Sequence, residues 1–467
     1  MKRRIIIVFL TVLFMMLSIQ TAVLAASAAL KGIRIGDDLT RTRVVLDLTA
    51  NGQYAASTAQ DGKQIRITMF DTSAAGAVVP AVQGSALKGI TLSADNDGCV
   101  VVLDLKEAMT YNALAMSDPP RLVIDIAKSY ERVKSTAKAE GLTLTEYMRS
   151  DARGTLKAYI VEADQAKYAL RLALAGGNIS AGNKSLSHIA RVSNALAAVN
   201  GGAFSYKGNL MGVTRIDGSA AGADSSQHTA MGIMKDGSLC FDTVQYQGYV
   251  RLGSMEPMSF SGVNTDRVKD SLILYNHLYG PSTGTNAFGT ELVIKNGIVE
   301  EVVKGGNAEI PYNGVVVSAH GKAEEALKNI KAGDQADISE FYSSKKLDEA
   351  QIIAGAGPCL VTDNKINVTA EQEGFDKRMA EERMPRTAAG VMANGHYLLM
   401  VIDGKNSDSI GATLKETAEL LRKFGAVNGY NLDGGASSEM VIGGQVINCP
   451  SSGAEHEIGS ALVVKYR

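Results

Sequence analysis

Short apolar runs separated by glycine-rich or polar turns recur along the chain, a pattern that favours β-strands. Residues 65–70 and 122–126 are two such runs near the N-terminal end. Residues 315–317, 398–402 and 461–464 are continuous apolar runs of the kind found in fully buried strands. The hydrophobic pattern therefore predicts short strands near the N-terminal end and buried strands further along the chain.

An internal repeat organises the N-terminal part of the chain. The segment Leu30-Lys31-Gly32-Ile33 recurs as Leu87-Lys88-Gly89-Ile90, and Val44-Val45-Leu46-Asp47-Leu48 recurs as Val101-Val102-Leu103-Asp104-Leu105. Both pairs have the same offset, which argues for one duplicated unit. We predict a small all-β domain over residues 28–127, a sandwich of two similar halves.

Composition separates this domain from a larger one. Residues 128–153 are rich in Lys, Glu, Ala and Thr, and we interpret them as a linker with one or two helical turns. Residues 154–467 mix strand runs with a few helical patterns. They are predicted to form a larger α+β domain with a mixed sheet.

A strand–helix–strand unit is predicted near the C-terminus. Residues 398–402 form a strand that ends in Asp403, and Thr413 with Glu416 matches a helix capping box. After the helix, a second strand ends in Asp433. Parallel neighbouring strands would place Asp403 and Asp433 at one crevice. The alternative is that both Asp-Gly pairs only form turns, and it is stronger for Asp403.

Two carboxylates at one crevice suit acid–base chemistry on a glycosidic bond. The run that follows Asp433 can offer backbone N–H and hydroxyl donors to a phosphate or to sugar hydroxyls, and it ends in a Gly443-Gly444 hairpin. The candidate ligand-binding residues in this run are Asn431, Gly434, Gly435, Ser437 and Ser438.

The N-terminus has the pattern of a secretory signal peptide. Lys2, Arg3 and Arg4 precede an apolar stretch over residues 5–17, and Val23 with Ala25 fits a cleavage site after residue 25. The stretch is short for a transmembrane helix, although an uncleaved anchor stays an alternative. Cleavage would change the formal net charge from −2 to −5, which disfavours nucleic acid as a partner.

Cysteine usage leaves the redox state open. Cys99, Cys240, Cys359 and Cys449 are widely spaced, without a metal-type pair. In an oxidising compartment disulfides and free buried thiols are both compatible with this spacing.

The N-terminal domain resembles the AMIN family. The resemblance rests on Thr42-Arg43-Val44-Val45-Leu46-Asp47-Leu48 and on the closing Asp118-Pro119-Pro120-Arg121-Leu122-Val123-Ile124-Asp125. It implies a secreted or envelope-associated protein that is held at peptidoglycan. The alternative is a β-domain without a ligand.

The larger domain resembles the phosphodiester glycosidase family from about residue 154 onward. The matching segments are Asn200-Gly201-Gly202, Ser318-Ala319-His320-Gly321, Gly357-Pro358, Arg386-Thr387-Ala388, Val401-Ile402-Asp403-Gly404 and Asn431-Leu432-Asp433-Gly434-Gly435 with Ser437-Ser438. One departure is Ala203, where the family usually has a second aromatic, and it affects the expected shape of the sugar subsite.

The resemblance implies hydrolysis of a sugar-1-phosphodiester to a free sugar and a phosphomonoester. By matching motif, Asp433 is the leading candidate for a catalytic carboxylate, and Asp403 is the second catalytic candidate. Arg386 and Thr387 are expected to hold the phosphate, Asn200 and Asp403 to orient the sugar or water, and His320 to act as an acid or a phosphate donor. Gly201 and Gly202 are expected to allow close approach of the ligand.

Two further functions stay open from the sequence. One is a non-catalytic protein that binds cell-wall glycan or assembles exopolysaccharide, and the other is a metal-dependent phosphodiesterase. The six histidines form no ligand pair, so no cofactor or metal site is predicted, although Asp-rich turns leave a divalent cation open. The expected partners are a wall glycan or glycoconjugate substrate and peptidoglycan, and no transmembrane span is expected after signal cleavage.

Overall fold

The computed structural model describes residues 28–38, 40–82, 86–151, 153–223 and 226–467. The predicted signal peptide, residues 1–25, lies outside this range. The chain divides into two units, with the boundary between Tyr130 and Glu131. Four cysteines, Cys99, Cys240, Cys359 and Cys449, are free thiols.

The first unit is an all-β sandwich. Its strands are β1 (Ala28–Asp37), β2 (Arg41–Leu48), β3 (Tyr54–Thr58), β4 (Gln64–Phe70), β5 (Thr72–Ser73), β6 (Leu87–Asp95), β7 (Gly98–Leu105), β8 (Tyr111–Ser117) and β9 (Pro120–Ala127). They form one sheet in the order β5-β1-β2-β9-β8 and a second in the order β3-β4-β7-β6. One core lies between the sheets, with Leu46 and Ile124 from the first and Ile67 and Leu103 from the second.

The sequence repeat is also a structural repeat. In the pair β1–β2, Leu30 lies opposite Leu48 and the register shifts between Leu30 and Gly32. In the pair β6–β7, Leu87 lies opposite Leu105 and the register shifts between Leu87 and Gly89. The same irregularity at the same place in both copies confirms the prediction of two similar halves.

The strands of the second unit begin with β10 (Tyr130–Ala139), whose first residue precedes the boundary. The others are β11 (Leu142–Asp151), β12 (Gly154–Ala163), β13 (Tyr168–Leu174), β14 (Lys184–Ser185), β15 (Ala197–Asn200), β16 (Thr214–Ile216), β17 (Ser219–Gly222), β18 (His228–Ile233), β19 (Leu239–Val244), β20 (Tyr246–Leu252), β21 (Met258–Ser259), β22 (Gly262–Val263), β23 (Leu272–Asn276), β24 (Thr290–Lys295), β25 (Ile298–Lys304), β26 (Gly314–Ala319), β27 (Ala336–Tyr342), β28 (Ile352–Gly355), β29 (Cys359–Thr362), β30 (Lys365–Ile366), β31 (Arg386–Met392), β32 (Tyr397–Ile402), β33 (Ala426–Asn431), β34 (Met440–Ile442), β35 (Gln445–Val446), β36 (Glu457–Ile458) and β37 (Ser460–Tyr466).

Helices are short and few in the described part of the second unit. They are α1 (Leu186–Val192), α2 (Lys322–Glu325), α3 (Lys345–Asp348), α4 (Lys377–Glu381) and α5 (Leu414–Lys423). No helix in the described ranges is both long and apolar enough to cross a membrane.

Residues 128–153 are not a helical linker. They contribute β10 and β11, which start the eight-stranded sheet β10-β11-β12-β32-β31-β33-β29-β30. In β11, Leu142 and Leu144 point into the core while Thr143 between them does not. Four of the charged residues that favoured a linker lie on β10, an edge strand, where charged side chains oppose edge-to-edge pairing.

Two sheets and two helices form the layers around the C-terminal strands. The eight-stranded sheet packs on the sheet β13-β37-β15-β34-β35, with Leu399 and Leu462 in the shared core. On the opposite face of the eight-stranded sheet, Leu414 and Leu421 of α5 pack around Met400. Helix α1 covers the outer face of the five-stranded sheet.

Besides the two-stranded sheet β14-β36, three further sheets belong to the unit, in the orders β17-β16-β28-β18-β19, β21-β20-β27 and β22-β23-β26-β24-β25. A second core lies among their strands. The unit is therefore mostly β with multiple sheets, one of which pairs β22 and β23 in parallel and its other strands antiparallel, and the predicted α+β character is not confirmed.

The predicted strand–helix–strand unit is half correct. Strands β32 and β33 are both antiparallel to β31, which lies between them, so they run parallel without being neighbours. All six residues of β32 are buried because one face meets the five-stranded sheet and the other meets α5. Burial on both faces explains a continuous apolar run without a parallel neighbour.

Local predictions in this region are confirmed. Thr413 and Glu416 form the capping box of α5, and Gly425 follows the helix with a φ of 96°. Strands β34 and β35 form the predicted hairpin through Gly443 and Gly444, which both have positive φ.

Candidate active site

Asn200 joins three parts of the fold at the end of β15. Its side chain is 1% exposed and uses both ends of the amide. Nδ2 donates to the carbonyl of Asp433 at 2.8 Å, whereas Oδ1 accepts from the Thr387 hydroxyl at 2.6 Å and the Glu439 N–H at 3.3 Å. Asn200 and Thr387 are thus brought to Asp433, but as supports of its backbone.

The backbone of the segment from Asn431 to Ser438 is held along its length. The N–H of Leu432 donates to the carbonyl of Thr387, that of Asp433 to Gly201 and that of Gly435 to Pro385, at 2.9, 3.2 and 3.0 Å. Gly435 has a φ of 66°, which favours glycine, and starts a 3₁₀ turn that ends at Ser437. Several N–H donors that the sequence assigned to a ligand are therefore used within the fold.

Asp433 presents a partly exposed carboxylate at this segment. Burial raises the pKa of Asp433, while hydrogen bonds from the Ser437 hydroxyl and the Gly434 N–H, and the charge of His456, oppose this shift. A carboxylic acid with a raised pKa can exchange protons at higher pH than an ordinary aspartate. This geometry suits the catalytic role predicted for Asp433.

Asp403 leaves the same edge of the sheet as Asp433, because β32 and β33 run parallel. It is 1% exposed, however, and Oδ1 accepts from Asn448 Nδ2 and the Cys449 N–H, both at 3.0 Å. Burial raises the pKa of Asp403. The expected open crevice with two facing carboxylates is corrected: Asp403 lies beneath the surface and anchors the segment after β35.

Arg386 is committed to backbone carbonyls rather than presented to solvent. The side chain is at the start of β31, and the residue is 2% exposed. Nε donates to Ala412 at 3.0 Å, and Nη2 donates to Met379 at 2.6 Å and Glu382 at 2.9 Å. Burial lowers the pKa of Arg386 to about 10. The phosphate contact expected of Arg386 is therefore replaced by a structural one, a clamp between the end of α4 and the segment before α5.

Glu439 is a functional candidate that the sequence patterns did not single out. It is 0% exposed, and Oε1 accepts from the His456 N–H at 2.6 Å. Burial, together with the nearby charge of Glu455, raises the pKa of Glu439 to about 7, although the hydrogen bond from the His456 N–H opposes this shift. The available signal was an acidic residue directly before the apolar run Met440-Val441-Ile442. Unpaired Glu is rarely buried, so a Glu beside a buried strand is unusual.

Polar groups without partners concentrate around Asp433. Four of the seven buried side-chain atoms that lack a hydrogen bond in the described residues belong to Asp403 (Oδ2), Asn431 (Oδ1), Ser438 (Oγ) and Glu439 (Oε2). Asn448 Nδ2 links two of these residues, because it also donates to the Ser438 carbonyl at 3.0 Å. Folds rarely leave such groups unpaired, so their clustering makes this region the candidate site.

The remaining predicted residues have other surroundings. A Cβ on Gly201 would lie 2.3 Å from Ser460 Oγ, and one on Gly202 would lie 2.3 Å from the Gly355 carbonyl, so these glycines allow close packing of the chain, not of a ligand. His320 follows β26, which belongs to a different sheet, and lies near Phe288. It is not part of the hydrogen-bond network around Asn200 and Asp433. Asn431 Nδ2 donates to the carbonyls of Gly357 and Leu432.

Thr387→Val tests the support of Asn200. The variant keeps the shape but loses the hydroxyl that donates to Asn200 Oδ1, so we expect the free energy of unfolding to fall by about 1–2 kcal/mol and kcat/KM to fall about tenfold. Urea unfolding and steady-state kinetics measure both. Thr417→Val is the matched control, because the buried Thr417 hydroxyl donates to the carbonyl of Thr413, the N-cap of α5. An equal loss of activity in both variants would contradict the assignment.

Glu439→Gln tests the buried carboxyl through pH. The pKa of Glu439 is raised in the folded protein, so its ionisation opposes folding: the cost is absent below about pH 4.5, grows as pH rises and is complete above about 7. The variant should therefore gain about 1–3 kcal/mol of stability relative to the native protein between pH 4.5 and pH 8. Urea unfolding at both values checks this, and a difference that does not change with pH would contradict it.

Comparisons with known proteins concern mainly the C-terminal part of the chain. Residues 288–465 match the family model described as phosphodiester glycosidase, so the C-terminal part of the chain contains a domain of that family. Asp433, Arg386 and Thr387 lie inside the matched residues, whereas Asn200 precedes them.

Two curated relatives match shorter segments. The SPbeta prophage-derived uncharacterized protein YomE of Bacillus subtilis (strain 168) is 33% identical over 134 residues, which is 27% of this chain and 20% of that protein. The N-acetylglucosamine-1-phosphodiester alpha-N-acetylglucosaminidase of Bos taurus is 36% identical over 81 residues, 17% of this chain and 15% of that protein. The matches thus span a fifth or less of the relatives' length.

A solved structure shares the fold over most of the chain. The crystal structure of a hypothetical protein from Synechocystis superposes with a TM-score of 0.64 at 23% sequence identity, covering 94% of this chain and 81% of that one. At this identity the likeness concerns the fold alone.

Proposed function

We propose, from the phosphodiester glycosidase family domain in the C-terminal part of the chain, that this protein hydrolyses sugar-1-phosphodiesters on the glycosidic side. The observation that carries the proposal is Asp433, a partly exposed acid with a raised pKa inside that domain. The products would be a free sugar and a phosphomonoester. Asp433 is the carboxylate at the reacting bond.

The chemistry of the leaving group is compatible with one exposed carboxylate. Glycosidases usually pair a carboxylate with a second carboxylic acid that protonates the departing oxygen. A phosphomonoester departs as a stable anion and needs little protonation. Asp433 can therefore activate water or attack the anomeric carbon without Asp403 opposite it, and Asp403 supports the site from below.

The setting of the reaction is a further part of the proposal. The signal pattern of residues 1–25 supports export, and the AMIN-like motifs of the first unit support retention at peptidoglycan. The substrate would be a cell-wall or other envelope glycoconjugate. A pull-down of residues 28–127 with purified peptidoglycan tests retention separately from catalysis.

A panel of p-nitrophenyl sugar-1-phosphodiesters, beginning with N-acetylglucosamine, tests the activity. We expect release of p-nitrophenyl phosphate and free sugar from at least one member. Absence of turnover across the panel, with retained glycan binding, would favour the alternative of a non-catalytic binding or assembly protein.

The metal-dependent alternative has its own test. Within the described ranges, no group of three or more His, Cys, Asp or Glu side chains is arranged to hold a metal ion. We expect turnover to persist after dialysis against a chelator. Loss of activity that a divalent cation restores would favour the metal-dependent phosphodiesterase.

A further inference from the structure

His456 lies beside Asp433, although the sequence patterns gave it no role. His456 is exposed, and a chain of hydrogen bonds joins its backbone to that of Asp433: the His456 N–H donates to Glu439 Oε1, the Glu439 N–H donates to Asn200 Oδ1, and Asn200 Nδ2 donates to the Asp433 carbonyl. Its ring centre is 6.3 Å from that of Phe204, in the loop that follows Asn200. The imidazole therefore lies near an aromatic side chain, on a backbone that hydrogen bonds connect to the proposed catalytic residue.

The backbone around His456 is fixed on both sides. The His456 N–H donates to buried Glu439, and the preceding Glu455 accepts from the N–H and the hydroxyl of Ser187 at 2.8 and 2.5 Å. The residues that follow form β36, which pairs with β14. An exposed side chain on an anchored backbone can bind a ligand without a large ordering cost.

The proposed substrate requires a positive group at this place. A phosphodiester carries a negative charge, which the Asp433 carboxylate repels. The Arg386 guanidinium is buried against carbonyls, and Lys207 in the loop after Asn200 is paired with Asp266 at 2.9 Å. His456 is the basic side chain whose charge acts on Asp433.

We propose that the imidazolium of His456 holds the substrate phosphate beside Asp433, and that Glu439 is a positioning residue that fixes His456 through its backbone N–H. This inference rests on the proposed function for the identity of the substrate. It gives the phosphate-binding role, which the sequence assigned to Arg386, to a different residue.

Substitutions of His456 in the full-length protein test the contact. We expect His456→Gln to raise KM for the phosphodiester, and the inhibition constant of inorganic phosphate, about tenfold or more. His456→Arg, which keeps a cation, should stay within about threefold of the native protein. His277→Gln, next to Tyr312 in another sheet, is the matched control and should change neither constant.

Substitutions of Glu439 test the positioning role. Glu439→Gln keeps an oxygen that accepts the His456 N–H and should leave KM nearly unchanged. Glu439→Leu removes the acceptor and should raise KM as His456→Gln does. The double variant Glu439→Leu/His456→Gln should be no worse in KM than His456→Gln alone, since both changes act on one contact. Circular dichroism confirms that each variant is folded.

The outcomes separate this inference from the proposed function. Unchanged KM and phosphate inhibition in His456→Gln would overturn the inference while hydrolysis by the native protein stands. If the native protein hydrolyses no sugar phosphodiester, calorimetry with inorganic phosphate decides. If the native protein binds inorganic phosphate and the His456→Gln variant does not, the phosphate site stands and the proposed reaction is removed. If the native protein does not bind phosphate, both are overturned.

Discussion

Asp433→Asn is expected to reduce kcat for a sugar-1-phosphodiester by about 10³-fold or more, because the amide can neither accept a proton nor attack carbon. The fold should persist. Asn keeps an oxygen for the Ser437 hydroxyl and the Gly434 N–H, and burial already raises the pKa of Asp433. We expect the free energy of unfolding to change by less than about 1 kcal/mol.

Steady-state kinetics and urea unfolding of the same preparation measure both effects. Asp236→Asn, in an exposed turn of the same unit, is the matched control and should be fully active. An active Asp433→Asn enzyme would remove Asp433 from the mechanism. Inactivity with a large loss of stability would reassign it to a structural role.

Arg386→Met is expected to lower the free energy of unfolding by about 3–5 kcal/mol, because three carbonyls lose their donors in a buried site. In the fraction that folds, KM for the phosphodiester should change by less than about threefold, since the guanidinium does not face the substrate. Urea unfolding and kinetics below the unfolding transition measure these quantities.

Arg383→Met is the control for the clamp. Arg383 is on the same segment but its side chain is 28% exposed, where it donates to the Gly411 carbonyl and to Glu416. We expect the free energy of unfolding of Arg383→Met to fall by about 1 kcal/mol. A stable Arg386→Met protein with a strongly raised KM would instead restore the phosphate contact that the sequence motif implied.

Local elements were predictable from sequence because neighbouring residues determine them. The capping box at Thr413, the two-glycine hairpin at Gly443 and the duplicated strands around Leu30 and Leu87 all appear in the structure. The interposed strand β31 was not predictable from the same patterns. Its pairing with β32 and β33 brings together residues that are distant along the chain, and sequence periodicity carries no information about strand order.

The candidate site was predictable to a similar extent. Asp433 and its glycine-rich turn stand out because an acid next to paired glycines is conspicuous in sequence. The exposure of a residue cannot be read from the sequence. Exposure separates Asp433, which is half-buried, from Asp403 and Arg386, which are buried. Glu439 was visible in sequence only as an acid before an apolar run, and His456 comes from a later segment whose N–H reaches Glu439 only in the folded chain.

Hydrolysis in oxygen-18 water tests the central claim most directly, with the members of the sugar-1-phosphodiester panel as substrates and mass spectrometry of the products. The label in the phosphomonoester is decisive, because the anomeric hydroxyl of a free sugar exchanges with water. The account predicts free sugar and an unlabelled phosphomonoester, because Asp433 directs water to carbon. Oxygen-18 in the phosphomonoester, or release of p-nitrophenol in place of the sugar, would contradict it.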